Sequence, residues 1–153
     1  ARIVRLANGF SLSTYVVLES AGGELGDAAR RDHIRRRLEQ ALRSGGTATL
    51  RVTRRPPRQV RMFTTPTHVG FATDEVNRRT VMELVAGDRP GLLCQVGRVL
   101  RDHRVAIQAA KIVTVGELAE DVFYVTDAAG APLDAEACAA LKADLAKALD
   151  SAT

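Results

Sequence analysis

Between Gly87 and Leu93 the chain reads GDRPGLL, and these are the residues whose types and spacing could do chemistry. A proline and a glycine stand at the mouth of a helix-patterned apolar run. A helix N-terminus at that point presents free backbone N–H groups and the positive end of the helix dipole, which suits a carboxylate or a phosphate. Gly91 lets a ligand approach the backbone closely. Asp88 stands where a capping or dipole-favoured carboxylate belongs. The competing reading is that Pro90 and Gly91 merely shape a turn, which is the commoner use of such a pair. Taken alone, the residues favour the turn.

No other grouping suggests chemistry. The three histidines, His33, His68 and His103, are scattered, so no metal spacing appears and no Ser/His/Asp set can be assembled. Cys94 and Cys138 are far apart and form no CxxC pair, which argues for two free thiols rather than a disulfide framework or a zinc site. Catalytic residues and metal ligands are therefore expected to be absent.

The elements that position the loop can be read from periodicity. Thr80 to Gly87, TVMELVAG, is a short β-branched and apolar run of the kind that forms strands. Leu92, Leu93, Val96, Val99, Leu100 and His103 recur at three-and-four spacing, predicting one apolar stripe on a helix from Pro90 to His103. Pro90 would occupy the first turn, where its missing N–H has no intrahelical partner. A strand-like run follows at once. The unit reads strand, tight loop, helix, strand.

Around this unit the composition is that of an ordinary globular protein: 153 residues, 46% hydrophobic and 26% charged, enough to bury a core as one domain or two small ones. No apolar run approaches a membrane span and the first residues lack signal-peptide architecture, so a cytoplasmic location is expected. Charge is uneven. Residues 1–79 carry about +8 and residues 80–153 about −4, with arginines at 30, 31, 35, 36, 37 and 43, then 51, 54, 55, 58 and 61. Such a run could cover a phosphate backbone or dock an acidic protein surface. Aromatic residues are only 4% and are not interleaved with the arginines as single-strand binders need. A solvated helix face with a basic linker is favoured, with Ile34 and Leu38 buried beside Arg35, Arg36 and Arg37.

An internal repeat organises the chain. AKIVTVGELAEDVFYVTDAAGAPL, Ala110 to Leu133, matches ARIVRLANGFSLSTYVVLESAGGEL, Ala1 to Leu25. Both copies continue into a helix: Leu141, Leu145 and Leu149 in the second correspond to Ile34, Leu38 and Leu42 in the first. The second copy is preceded by its own strand and helix, giving β-α-β-β-α, whereas the first begins at its hairpin and lacks the opening β-α, as a fragment of a longer protein would. The expected fold is α+β, a ferredoxin-like split βαβ arrangement. His68 to Thr73 is expected to supply the second copy's fourth strand by hairpin pairing with the Thr80 strand, and Thr47 to Arg55 that of the first. The predicted organisation is residues 1–55 as the C-terminal part of a first domain, 56–67 as linker and 68–153 as a second domain.

With the repeat in place, DRPGLL between strand and helix, followed by AAKIVTVGELAEDVFYVTD, resembles the ACT domain, a small-molecule-sensing βαββαβ module. Together with the basic segment RRPPRQVRMFTTPTHVGFATDEVNRRTVMELVAG, essentially the whole chain resembles the C-terminal end of the bifunctional uridylyltransferases/uridylyl-removing enzymes that modify the nitrogen-signalling PII protein. That resemblance implies a regulatory, glutamine-sensing region of an enzyme whose nucleotidyltransferase and metal-dependent hydrolase segments are not in this sequence. It implies Mg²⁺ for the parent enzyme and no cofactor for this region. Implied partners are glutamine, the PII protein and a further copy through ACT pairing, with no membrane. The implied ligand site is Asp88, Arg89, Pro90, Gly91, Leu92 and Leu93, with Gln108 from the following strand reading a side-chain amide. An arginine-rich nucleic-acid or protein-docking module is the alternative.

Overall fold

The computed structural model describes residues 1–19, 22–44 and 65–150. Along the chain the elements are β1 (Arg2–Arg5), β2 (Ser11–Thr14), α1 (Ala28–Arg43), β3 (His68–Asp74), β4 (Arg79–Gly87), α2 (Leu92–Asp102), β5 (Ala106–Val115), β6 (Leu118–Thr126) and α3 (Ala135–Asp150). They fall into two compact units, Ala1–Thr14 with Arg54–Thr153, and Tyr15–Thr53.

The first unit is built on a six-stranded sheet in the order β2-β1-β5-β6-β4-β3, antiparallel at every step. Because β4 and β5 each pair antiparallel with β6, they run parallel to each other with β6 between them. With α2 connecting them, this is the split βαβ unit expected from the sequence. The fold is α+β and compatible with a ferredoxin-like arrangement.

Alternation explains which face is covered. In β4 Thr80, Met82, Leu84 and Ala86 are buried while Glu83 is exposed, the period-two pattern of a sheet with one covered face. The cover comes from Leu92, Val96 and Leu100 of α2 and from Leu141, Leu145 and Leu149 of α3, which join Met82, Leu84, Phe123 and Val125 in one cluster. Each fully buried leucine contributes roughly 1.5–3 kcal/mol. The C-terminal end of α2 is tied to the body of α3 by His103 Nε2 and Asp144 Oδ2 at 2.8 Å.

The turns follow from their residues. Gly116, at φ 63°, opens the two-residue turn between β5 and β6, where a left-handed conformation suits the strand twist. Asp74 closes the β3–β4 hairpin by accepting from the Asn77 backbone N–H at 3.1 Å and from Arg79 Nε at 2.8 Å. Arg79 also lies 4.1 Å over the Tyr124 ring. At the N-terminus of α3, Asp134 Oδ1 accepts from Ala137 N–H at 2.7 Å, satisfying a first-turn donor.

The strand expected at His68 to Thr73 is present as β3, paired along β4 from His68↔Val85 to Asp74↔Arg79. The first hairpin is also present, and it extends the same sheet through Arg2↔Lys111, Ile3↔Ala110 and Val4↔Ala109. The strand expected at Thr47 to Arg55 lies outside the described residues, as does most of the expected linker.

Three expectations are corrected. The helix begins at Leu92 rather than Pro90, because Gly91, at φ 93° and ψ 0°, is left-handed and cannot belong to the helix it precedes. Leu93 is exposed and does not share the buried stripe of Leu92, Val96 and Leu100. In the second unit α1 forms, but Ile34 is 44% exposed, Leu38 58% and Leu42 72%. No residue of this helix is buried, since no described element covers its apolar stripe. Its arginines are engaged locally, with Arg35 3.0 Å from Glu39 and Arg31 donating to the Leu25 and Gly26 carbonyls.

Candidate functional site at the β4–α2 junction

The loop between β4 and α2 is a tight turn. Leu92 N–H donates to Arg89 O at 3.2 Å, closing a four-residue turn with Pro90 second and Gly91 third. Gly91 at φ 93° and ψ 0° has the third-position geometry of a type II turn, which favours proline before it and requires φ > 0 there. That accounts for both residues conformationally. Any ligand role of the loop must therefore rest on other groups.

Asp88 is exposed, and its backbone N–H donates to Glu117 O at 2.8 Å, anchoring the loop to the β5–β6 turn. It is not a cap: α2 has no side-chain N-cap bond and no acidic residue in its first turn. With the Leu92 N–H turned back to Arg89 O, the first-turn amides that no side chain caps are those of Leu93 and Cys94. Arg89 is half-buried and its Nη2 donates to Gln95 Oε1 at 2.9 Å. Burial lowers its guanidinium from the ordinary value, opposed by the nearby Asp150 carboxylate. Leu92 enters the core while Leu93 remains outside.

The structure brings Asp88, Arg89, Pro90, Gly91, Leu92 and Leu93 together but separates Gln108 from them. Gln108 is the extra residue of a bulge between Ile107↔Val125 and Ala109↔Tyr124. That register is level with Thr80 and Val81, about seven strand residues from Asp88, or roughly 23 Å at the rise of extended chain. Its Nε2 donates to Thr126 Oγ1 at 3.0 Å. A bulge re-aims a side chain in a way that sequence spacing does not reveal.

Sequence reasoning missed Asp121. It lies on β6 opposite Leu84 and Ile112, on the helix-covered face, and is 1% exposed. Its Oδ1 accepts from Val113 N–H at 3.2 Å, and its Oδ2 is buried with no hydrogen-bond partner. Burial pushes its carboxyl above the usual carboxylate range; Asp88 adds to the rise, while the Val113 bond opposes it. The available signal was the alternation LAEDVFYV, which places an acid at an inward position among Ala119, Phe123 and Val125.

A shallow hollow of about 290 Å³ is lined by Glu83, Val85, Lys111, Val113, Glu120 and Val122 of the sheet face away from the helices, together with Leu84 and Asp121. Cys94 and Cys138 are free and half-buried, and burial raises the Cys138 thiol from its ordinary value. Among the described residues no group of three or more His, Cys, Asp or Glu could hold a metal ion. None of their helices is long and apolar enough to cross a membrane.

The geometry defines a class: an antiparallel α+β sheet whose split βαβ unit offers a tight loop and a helix N-terminus at one end. The particular likeness comes from known proteins. The chain is similar to the bifunctional uridylyltransferase/uridylyl-removing enzyme of Azotobacter vinelandii, 41% identical over 151 residues. It is 42% identical over 151 residues to that of Ectopseudomonas mendocina, and 41% over 144 residues to that of Pseudomonas putida. These matches cover 93–97% of this chain but only 16–17% of each relative, so the chain spans about one-sixth of the length of the curated relatives it matches. No protein-family profile matches the chain, and no solved structure matches it.

Proposed function

We propose that this chain is a regulatory region of a uridylyltransferase/uridylyl-removing enzyme, C-terminal in its parent, that senses a free amino acid. The observation carrying this reading is similarity to those enzymes at about 41% identity along 97% of the chain. The amino acid is glutamine by family resemblance, and the parent's partner is the PII protein of nitrogen regulation, in the cytoplasm. The module type is ACT: residues 68–153 form one domain, 56–67 a linker and 1–55 part of another whose opening β-α is not in this sequence. The antiparallel pairing of Arg2 with Lys111 supports this, since the two residues occupy the same position of the repeat. Equivalent strands thus meet edge to edge, as two related domains would.

The ligand's α-carboxylate sits at the N-terminus of α2, accepting from the Leu93 and Cys94 amides, with Asp88 beside its ammonium. Asp88 to Leu93 are retained as the site; Gln108 is too distant to share it. No catalytic step is assigned to these residues, and the Mg²⁺ expected for the parent finds no fitting donor set among the described ones. Of the arginines behind the docking alternative, Arg31 and Arg35 are engaged within their own unit, while those at 51, 54, 55, 58 and 61 lie outside the described residues.

Thermal unfolding tests the reading. At glutamine about 100-fold above its Kd the chain should gain roughly 2.7 kcal/mol, or several degrees of Tm for this size, insensitive to salt. Steeply salt-dependent binding to an oligonucleotide, without a glutamine shift, would instead establish the docking module.

A further inference from the structure

We infer that the face of the sheet turned away from α2 and α3 is an interface for a second copy of this chain, stacked face to face about a two-fold axis that runs close to the strand direction between β5 and β6.

The strand register sets out this face row by row. One row runs Gly70, Glu83, Val122, Lys111, Arg2 and Thr14, across β3, β4, β6, β5, β1 and β2. The adjoining row runs Ala72, Val81, Tyr124, Ala109, Val4 and Leu12. Their neighbours along the strands, among them Met82, Phe123 and Ala110, are buried in the core with α2 and α3, so the pleat turns both rows to the opposite face. That face is open. Leu12 is 59% exposed, Val81 and Val122 are only half-buried, and Arg2, Glu83, Lys111 and Glu120 are exposed. An apolar floor of this extent, rimmed by charge, marks an interaction surface.

The charges divide at the midline of the sheet. Glu83 and Glu120 lie on β4 and β6, whereas Lys111 and Arg2 lie on β5 and β1. Lys111 and Arg2 are register partners on adjacent strands, and like charges set directly opposite each other are unfavourable unless an acid answers them. Among the described residues none of these four has an ion-pair partner. A surface that is acidic on one half and basic on the other is complementary to itself, which is what a two-fold contact between identical chains requires.

Turning a second copy over about the midline sets β6 on the partner's β5, β4 on its β1 and β3 on its β2. Glu83 then meets the partner's Arg2. Val122 meets the stem of the partner's Lys111, whose ammonium reaches toward Glu120. In the adjoining row Tyr124 meets the partner's Ala109, Leu12 meets the partner's Ala72 and Val81 meets the partner's Val4. Acids fall on bases and large side chains on small ones. Twisted sheets stack at about −30°, so the four central strands hold these pairings and the outer two diverge.

Sedimentation equilibrium of the 153-residue chain tests this, and the unaltered chain should pass from monomer to dimer as its concentration rises. Glu83→Arg sets like charge against the partner's Arg2, and Arg2→Glu sets it against the partner's Glu83; each should weaken the dimer by roughly tenfold or more. The two changes together restore opposite charges and should bring the dimer back. Ala109→Trp, which fills the place of the partner's Tyr124, should weaken it without altering charge. Circular dichroism checks that each variant folds. A chain that stays monomeric at every concentration overturns the inference and leaves this face to a different partner. A dimer that the folded single variants leave intact, or that the folded double variant fails to restore, places the contact on another surface and overturns it as well.

Discussion

Two aspartates of this chain pull its pH dependence in opposite directions. Asp74 is held below the usual carboxylate range by hydrogen bonds from Asn77 and Arg79. The folded state thus favours its ionised form, and the stability this supplies is present above the unfolded value and lost as pH falls through the lowered one. Asp121 is raised by burial and by Asp88. Here the folded state holds the proton more tightly, so stability declines as pH rises from the ordinary carboxylate range through the raised value. Asp121→Asn should therefore raise the Tm at neutral pH by a few degrees and flatten its decline on the alkaline side of the carboxylate range. An unchanged or lower Tm at pH 7 would show that the fold itself stabilises the ionised Asp121. Asp74→Asn should flatten the acid limb instead, as melting curves between the acid range and neutrality will reveal.

At the scale of elements, the helices α1 and α3 carry matching stripes with opposite fates. Leu145 is fully buried between sheet and helix whereas Leu38 is 58% exposed. Leu145→Ala should cost about 2–5 kcal/mol, while Leu38→Ala should stay within roughly 0.5 kcal/mol, as for other exposed positions. Denaturant melts of the two variants measure the difference, and equal losses would mean that α1 is covered in solution. The β4–α2 junction belongs to the same scale. A β-branched residue at φ 93° is strained whatever its ligand contacts, so Gly91→Val would rebuild the turn and is a poor probe of binding.

For the whole molecule, the consequence lies at β5. Its outer edge is paired by β1, which leaves β2 and β3 as the edges of the sheet. Removing residues 1–14 would expose the β5 backbone groups as an unpaired edge, a template for another strand. The shortened chain should self-associate with rising concentration, as sedimentation equilibrium will detect; a monomer of unchanged stability would show that the β1–β5 ladder contributes little.

The sequence by itself determined the local grammar. The split βαβ order, both hairpins and the β3 strand were legible because period-two and period-3.6 patterns and turn residues act over a few neighbours. Pro90 and Gly91 announced a tight turn at the mouth of α2 for the same reason. What only the tertiary structure decided are relations between distant residues: that β1 closes the edge of β5, that strand register sets Gln108 about 23 Å from Asp88, and that no described element covers the stripe of α1. Asp121 belongs with these. An acid at an inward strand position is visible in LAEDVFYV, but its orphaned oxygen exists only once β4, β6 and the helices enclose it, because burial is a property of the packed molecule.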